Sequence, residues 1–448
     1  MVPPPAPRRV AWFSPMPPSP SGIAAYSAEL VPALRARALA IDVFTEPPDT
    51  GWPGALHARE FVWMHRRQPY DLVVYQLGNA RCHDLMWGYL FRYPGLLVLH
   101  DAQIHQARGR QLLQRWPART ADYRAEFAAN HPDAPADLPH LFEAGLGGAL
   151  YAHWPFVRLV LQGARLAAVH SAALAARLGR AHGVEVETVP MGVPDPLAEA
   201  SSTDTAGLRA RHGVPADAFL LGALGGVTPE KRLPQVLDAM AAVPDLPIHL
   251  LVVGAAAAHY DLLADAAAHG LADRVHLTGF VPDAALAGYL AAMDACACLR
   301  WPSNGETSAS WWRAMAAGRA TLITDLPHQP EIPVLDPRSW RMVGGTGPAV
   351  AAAVPILDEH TAIVAALRRL ALDRAARETL GTAARSYWRA HHTLDAMAEA
   401  YVPLMARAAA RPAPHAMRPA HLDEAGDERL RTLLAPFGLA VPASVAAE

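Results

Sequence analysis

The chain has 448 residues, 52% of them hydrophobic and 18% charged, with a formal net charge of −3 at neutral pH. That length predicts two or three domains, and the near-neutral charge excludes a general nucleic-acid binder, which needs a surplus of basic side chains. Three cysteines, Cys82, Cys296 and Cys298, are too few for a disulfide framework. No uninterrupted apolar run of about 18 residues predicts a transmembrane helix.

The N-terminus, MVPPPAPRRVAWFSP, is rich in proline and lacks the apolar core of a secretory signal. A cytoplasmic, reducing setting with free thiols is therefore expected. Strands are predicted at RRVAWFS (8–14), AIDVFTE (40–46), DLVVYQLG (71–78), GLLVLHD (95–101), LAAVHS (166–171) and VETVPMG (186–192). A second series follows at FLLGALGG (219–226), IHLLVVGA (248–255), RVHLTGF (274–280), ACACLR (295–300) and ATLITD (320–325). Segments of helical period lie between them, such as AAYSAELVPALRARA, LPQVLDAMAAV and DAALAGYLAAM. Continuous apolar strands alternating with helices predict parallel sheets covered on both faces. Two such series predict two doubly wound α/β domains, because one open sheet rarely takes so many strands.

The two series are separated by VPDPLAEASSTDTAG (193–207), a stretch of turn-forming residues. Residues 105–150 interrupt the first series as a long insertion after a strand end, where α/β proteins place functional loops. Within 105–125, Arg108, Arg110, Arg115, Arg119 and Arg124 lie amid Leu112, Leu113 and Trp116. An amphipathic surface helix packed on its own domain fits this pattern best; a contact with an acceptor or a membrane surface is the alternative. RPAPHAMRPA, from Arg411, reads as a linker, and HLDEAGDERLRTLLAPFGL as a tail with one short amphipathic helix.

Four stretches that follow strands carry chemistry. FSPMPPSPSGIAAYS (13–27) sets Gly22 just before a helix, where close backbone approach and helix N–H groups favour an anion; an ordinary proline-rich loop fits equally well. LLVLHDAQIHQ ends a strand at His100–Asp101. Imidazole there can bond a hydroxyl or a phosphate, although a structural hydrogen bond is the simpler role, and Asp101 is expected to orient backbone. In ALGGVTPEKRL (223–233), Gly225 and Gly226 clear space while Lys231, Arg232 and a helix start offer positive charge. This stretch has neither P-loop spacing nor a GxGxxG fingerprint. WPSNGETSASWWRAMAAG (301–318) holds a single carboxylate, Glu306, and Thr307 or Ser308 is placed to cap the following helix. First-turn N–H groups suit a diphosphate, and the carboxylate suits sugar hydroxyls.

Strand–GGVTPEKR–helix, then HLTGFVP, then RWPSNGETSASWWRAMAAGRATLITD, resembles the C-terminal half of the retaining glycosyltransferases of family four. SPSGIAAYS, LHD, AVHS and VPMGVP fit the N-terminal half. The resemblance covers roughly residues 8–405 and is most specific over 223–332. It implies the GT-B architecture, two Rossmann-like domains facing a cleft. The expected organisation is an acceptor domain at 1–195 with its insertion at 105–150, a nucleotide-sugar domain at 196–385, a helix crossing back at 386–410, and a linker and tail at 411–448. His391 and His392 near that helix are expected as a surface pair.

The resemblance also implies a nucleotide-diphosphate-sugar donor, a sugar or lipid-linked acceptor, a role in polysaccharide biosynthesis, and no metal or cofactor. Lys231 would contact the diphosphate, with Gly225, Gly226 and Arg232 beside it. Glu306, Thr307 and Ser308 would hold sugar hydroxyls and phosphate oxygens, Gly22 would sit near the diphosphate, and His100 near the transferred sugar. His100, Glu306 and Lys231 are thus the residues expected to carry catalysis, by a front-face mechanism in which the leaving diphosphate helps deprotonate the acceptor. The chain is expected in the cytoplasm or peripherally at the inner membrane face, through 105–125.

Two features depart from the family pattern. The usual Glu-x7-Glu signature has its second Glu before Ala-Met, where this chain has Arg313, and Glu306 stands one residue late for the first. An arginine that often precedes the lysine is replaced by Val227 and Thr228, so Arg232 or Arg313 is expected to supply its charge as part of the donor site. Two other functions fit the same sequence: a nucleotide-sugar-binding relative without catalysis, and a nucleotide-sugar epimerase of the same fold.

Overall fold

The computed structural model describes residues 6–46, 51–198, 204–257, 259–327, 329–423 and 434–439. The first sheet contains β1 (Arg9–Phe13), β2 (Ala40–Thr45), β3 (Ala55–His57), β4 (Leu72–Leu77), β5 (Leu96–Leu99), β6 (Leu166–Val169) and β7 (Val186–Thr188). Their order is β3-β2-β1-β4-β5-β6-β7, with every pairing parallel. The second sheet contains β8 (Phe219–Leu224), β9 (Ile248–Val253), β10 (Val275–Leu277), β11 (Ala295–Cys298), β12 (Ala320–Thr324), β13 (Val334–Asp336), β14 (Arg341–Gly344) and β15 (Ala351–Val354). Its order is β10-β9-β8-β11-β12-β15-β13-β14, parallel except for β13–β14. Every residue of β4, β5, β8 and β9 is buried, which is why these strands read as unbroken apolar runs.

Each predicted strand is present. β3, β13, β14 and β15 were not anticipated: ALH and VLD are too short for a period, RMVG is largely exposed, and AAAV is equally at home in a helix. Strand order reverses between β1 and β4 in the first sheet and between β8 and β11 in the second. Loops leaving the carboxyl ends of strands beside such a switch point diverge and open a crevice. Three of the four stretches singled out above are such loops, after β1, β8 and β11; the His100–Asp101 stretch follows β5, one strand farther along.

The linking stretch 193–207 includes residues 199–203, which lie outside the described residues. Most of the predicted tail helix does too; a short helix at Ala420–Asp423 and a 3-10 turn at Ala435–Phe437 are described. The helix Leu394–Ala410 returns to the first sheet and packs on the helix Gly22–Arg35, where the Tyr401 and Tyr26 hydroxyls meet at 2.6 Å. One apolar cluster joins Trp12 and Leu30 through Met397 and Tyr401 to Trp311 and Trp312. The expected surface pair of histidines is corrected: His391 is exposed, but His392 stacks on Trp312 at a 3.6 Å centroid distance and bonds the Met191 carbonyl.

The insertion folds as short helices over the first sheet, at His105–Gly109, Thr120–Asn130 and Pro139–Glu143, with a π-helix at Arg110–Arg115. Arg119 pairs with Asp122, Arg124 with Glu143 and Arg115 with Asp84. Arg108 departs from the surface expectation. It is buried, lies over the Trp87 ring at 4.4 Å, and forms a two-pronged ion pair with the fully buried Glu126, which also receives His421 from the tail. Removing one member of a buried pair strands the other without a counter-charge. Arg108→Met is therefore expected to destabilise the chain by about 3–5 kcal/mol in denaturant unfolding, and Arg108→Met/Glu126→Leu to recover most of that loss. A single variant as stable as the parent would exclude the pair as a structural element.

Candidate functional site

The second sheet's switch point is flanked by the loops after β8 and β11. After β8, Gly225 adopts a φ of 89°, open to glycine but strained for other residues. A Cβ at Gly225 would come within 2.6 Å of the Lys231 Nζ. Lys231 ends the 3-10 turn Pro229–Lys231, and its ammonium donates to the Leu224 carbonyl, which Ser310 Oγ approaches at 3.5 Å. The side chain is half-buried, but its ammonium end is enclosed; desolvation, and then the charge of Arg300, lower its pKa to about 7. Gly226 is exposed with open space around its Cα. Arg232, in a left-handed turn with a φ of 59°, is drawn into a bidentate pair with the buried Glu359 at 2.8 and 3.0 Å. It is therefore already neutralised, contrary to the expectation that it supplies a cation to the loop.

After β11, the Arg300 N–H bonds the Thr324 hydroxyl, and its guanidinium Nε meets Glu306 Oε1 at 2.8 Å. The other Glu306 oxygen accepts from Ser303 Oγ at 3.0 Å and from the Asn304 N–H at 2.6 Å. Glu306 is thus not the solitary loop acid that the sequence suggested, since both of its oxygens are engaged. Ser308, not Thr307, caps the helix Ala309–Ala316, accepting the Trp311 N–H at 3.3 Å. At the loop tip, the Asn304 carbonyl takes the Ala102 N–H of the first domain at 2.6 Å, and a Cβ at Gly305 would lie 2.9 Å from that of Ala102. The loop after β11 therefore rests on the chain leaving β5.

That chain carries His100 and Asp101. His100 Nε2 bonds Gln76 Oε1 at 2.7 Å, and Gln76 Nε2 reaches the Tyr401 hydroxyl at 3.4 Å. Burial, helped by His170 and His83, holds the His100 pKa well below its usual value, so the ring is neutral at pH 7. Asp101 accepts the Asn79 N–H at 2.7 Å. Burial raises the Asp101 carboxyl to about 6, against that hydrogen bond and with a further push from Glu306. Gly22 opens the helix Gly22–Arg35 behind the Ser21 cap, with no steric demand for glycine at its Cα. Its neighbour Ile23 and the Asp101 carboxylate both close on Gly78, where a Cβ would meet them at 2.5 and 3.0 Å.

The structure thus gathers Lys231, Gly225, Glu306, Ser308 and the His100–Asp101 strand end along one seam between the domains. Arg300 is the residue the sequence reading passed over. It bonds Glu306 and lies close enough to Lys231 and Asp101 to shift both. Its only signal was its place at the carboxyl end of β11, beside the switch point. Arg313 leaves the set of free cations as well: its guanidinium pairs with Glu29, on the helix Gly22–Arg35 of the other domain. Among the described residues, no group of three His, Cys, Asp or Glu side chains converges to hold a metal ion. No described helix is long and apolar enough to cross a membrane.

Residues 218–371, which span the second sheet and the helix behind it, match the sequence model of the family described as Glycosyl transferases group 1. Over 149 residues the chain is 34% identical to the 2-deoxystreptamine glucosyltransferase of Streptomyces kanamyceticus, a match that covers 32% of this chain and 38% of that relative. Among solved structures it is similar to sucrose-phosphate synthase from Thermosynechococcus elongatus, with a TM-score of 0.61 at 20% identity over 89% of this chain and 98% of that one. It is also similar to HepE of Anabaena in complex with UDP-glucose, with a TM-score of 0.56 at 16% identity over 87% and 97% of the two chains. At such identities the likeness is one of fold, and the fold is GT-B: two parallel-dominated α/β sheets in Rossmann-like domains.

Gly225→Ala is expected to push the Lys231 ammonium out of its seat while the sheets stay folded, because the clash is with the end of a flexible side chain. The strain of an alanine at a φ of 89° should lower the melting temperature by a few degrees without abolishing folding, while Lys231 gains the reactivity of an exposed lysine toward an acylating reagent. Unchanged labelling would show that the glycine does not define the seat.

Proposed function

We propose that the protein is a retaining glycosyltransferase that moves a sugar from a nucleotide-diphosphate sugar to a hydroxyl of a sugar or lipid-linked acceptor, by a front-face mechanism and without a metal. The observation that carries this reading is the enclosed Lys231 ammonium, which has a backbone carbonyl for a partner where a carboxylate would be expected. An ammonium kept from water beside a second cation is costly until an anion arrives. A diphosphate satisfies it, and Ser310 together with the first-turn N–H groups of the helix Ala309–Ala316 adds donors on the same side. The match of residues 218–371 to group 1 glycosyl transferases supports the same reading independently of this geometry.

In this mechanism the acceptor hydroxyl attacks on the face from which the diphosphate leaves and passes its proton to the departing oxygen. The chain supplies position and stabilises charge growing on the leaving group. Lys231 holds the diphosphate, and Arg300, which shares its charge with Glu306, lies beside it. Glu306 orients Arg300 and takes a sugar hydroxyl by exchanging one of its loop partners. His100, neutral and fixed by Gln76, hydrogen-bonds the sugar and does not carry a proton at neutral pH. UDP-glucose is the first donor to test, since a glucosyltransferase and a UDP-glucose complex are among the similar proteins.

The Lys231 pKa makes the reading measurable. In the free protein the ammonium loses its proton near pH 7, and a bound diphosphate restores it. Binding of UDP should therefore take up a proton above about pH 7 and none well below it, so affinity is flat at acid pH and falls as pH rises. Calorimetry in buffers of different ionisation enthalpy measures this directly. Lys231→Ala should abolish the uptake and weaken UDP binding by about 10–100-fold, the loss of one charged hydrogen bond. Failure of UDP-, GDP- and ADP-glucose alike to bind would sink the proposal.

A further inference from the structure

Beside the first glycine loop lies a run of cavities that the donor site does not use. One, of about 630 Å³, opens between the proline loop Pro15–Pro20 and Arg81. A second, of about 580 Å³, is lined by Trp87, Tyr89, Tyr93 and Trp116 and reaches His421 of the tail. A third, of about 260 Å³, lies between Arg81, Asp84 and Arg110. Arg115 lines all three, Glu46 the first and second, and Arg81 the first and third, so they form one groove. It starts at the carboxyl ends of β1, β2 and β4, the edge of the sheet that faces the switch point.

The lining has two chemistries. Tyr89, Tyr93 and Trp116 are half-buried and give flat apolar surfaces on which the C–H face of a sugar ring can lie, while Trp87 lies beneath them, covered by Arg108. Arginines outnumber carboxylates. The side chains of Arg66, Arg81 and Arg92 make no ion pair or hydrogen bond among the described residues, and Arg110 has a buried Nη2 without an acceptor. Glu46 and Asp84 are the lining carboxylates, and Asp84 is already matched by Arg115 at 3.6 Å. The π-helix Arg110–Arg115, closed by the Trp116 N–H to Gln111 carbonyl bond at 3.1 Å, sets these side chains along the groove. Such wide turns recur at functional sites.

We infer that this groove holds the acceptor, and that the acceptor is an acidic glycan several sugars long, its rings on the aromatic floor and its carboxylate or phosphate groups on Arg81, Arg110 and Arg115. This inference rests on the glycosyltransferase reading. Planar guanidinium groups suit such anions through paired hydrogen bonds, and the length of the groove selects a chain over a monosaccharide.

Calorimetric titration of the full-length protein with hexagalacturonate, maltohexaose and UDP tests it. Hexagalacturonate should bind about tenfold or more tightly than maltohexaose, with an affinity that falls as salt is raised. Arg81→Gln/Arg115→Gln should weaken hexagalacturonate by about tenfold and leave UDP binding within about twofold. Arg81→Gln alone, at an exposed side chain that cannot threaten folding, should show part of the loss. Equal binding of the acidic and neutral hexamers, no binding of either, or no effect of the variants overturns the inference while UDP binding leaves the donor reading intact. Binding to phosphatidylglycerol vesicles without binding to hexagalacturonate overturns it in favour of a membrane surface. Loss of UDP binding in the parent protein strikes the donor reading instead.

Discussion

The arrangement depends on one constraint: an ammonium held out of water at the carboxyl end of β8. Seating Lys231 there requires that residue 225 have no side chain, because a Cβ would collide with Nζ. It also requires that the following residue turn sharply, which Arg232 does in a left-handed conformation. That conformation costs an arginine of the order of 1 kcal/mol or more, and the pair with Glu359 offsets it. The loop after β8 is thus shaped by charge at both ends, one cation enclosed and unmatched, the next one matched.

The second domain presents this seat, and the first domain meets the loop beside it. Contact between them is made at several levels. The Asn304 carbonyl takes the Ala102 N–H, Arg313 pairs with Glu29, Asp195 pairs with Arg385, and the Trp311–Trp312 pair lies in the same apolar cluster as Met397 and Tyr401. The returning helix also holds the Tyr401 hydroxyl against Tyr26 and Gln76, and Gln76 in turn fixes His100. Site geometry and the contact between the domains are therefore coupled through shared residues.

Much of this was legible in the sequence. Buried parallel strands leave apolar runs that alternate with helices, so both sheets and the four loops at their carboxyl ends could be read directly. A Thr307 or Ser308 cap, Gly225 as a clearance and Lys231 as a cation follow from residue chemistry and place in the loop, and the structure chooses Ser308. What could not be read were partners distant in sequence. Nothing in GETS says that Glu306 is tied to an arginine six residues earlier, and nothing in EKR says that Glu359 claims Arg232. Short edge strands such as RMVG escaped because three or four residues carry no period. Arg108 read as a surface residue because its partner, Glu126, lies eighteen residues on, in another helix of the insertion.

The departures from the familiar loop pattern then become one rearrangement. Val227 and Thr228 carry no cation, and Arg300, at the carboxyl end of the neighbouring strand across the switch point, lies close enough to Lys231 to shift its pKa while paired with Glu306. Arg313, standing where a carboxylate is usual, does not leave the seam short of acid, because Glu29 meets it from the opposite domain. Burial pushes the Glu29 pKa up, and Arg313 opposes that push. The position where a carboxylate is usual is now half of a contact between domains. The side chain at 313 therefore ties the second domain to the first, and any change there acts on the contact between the domains.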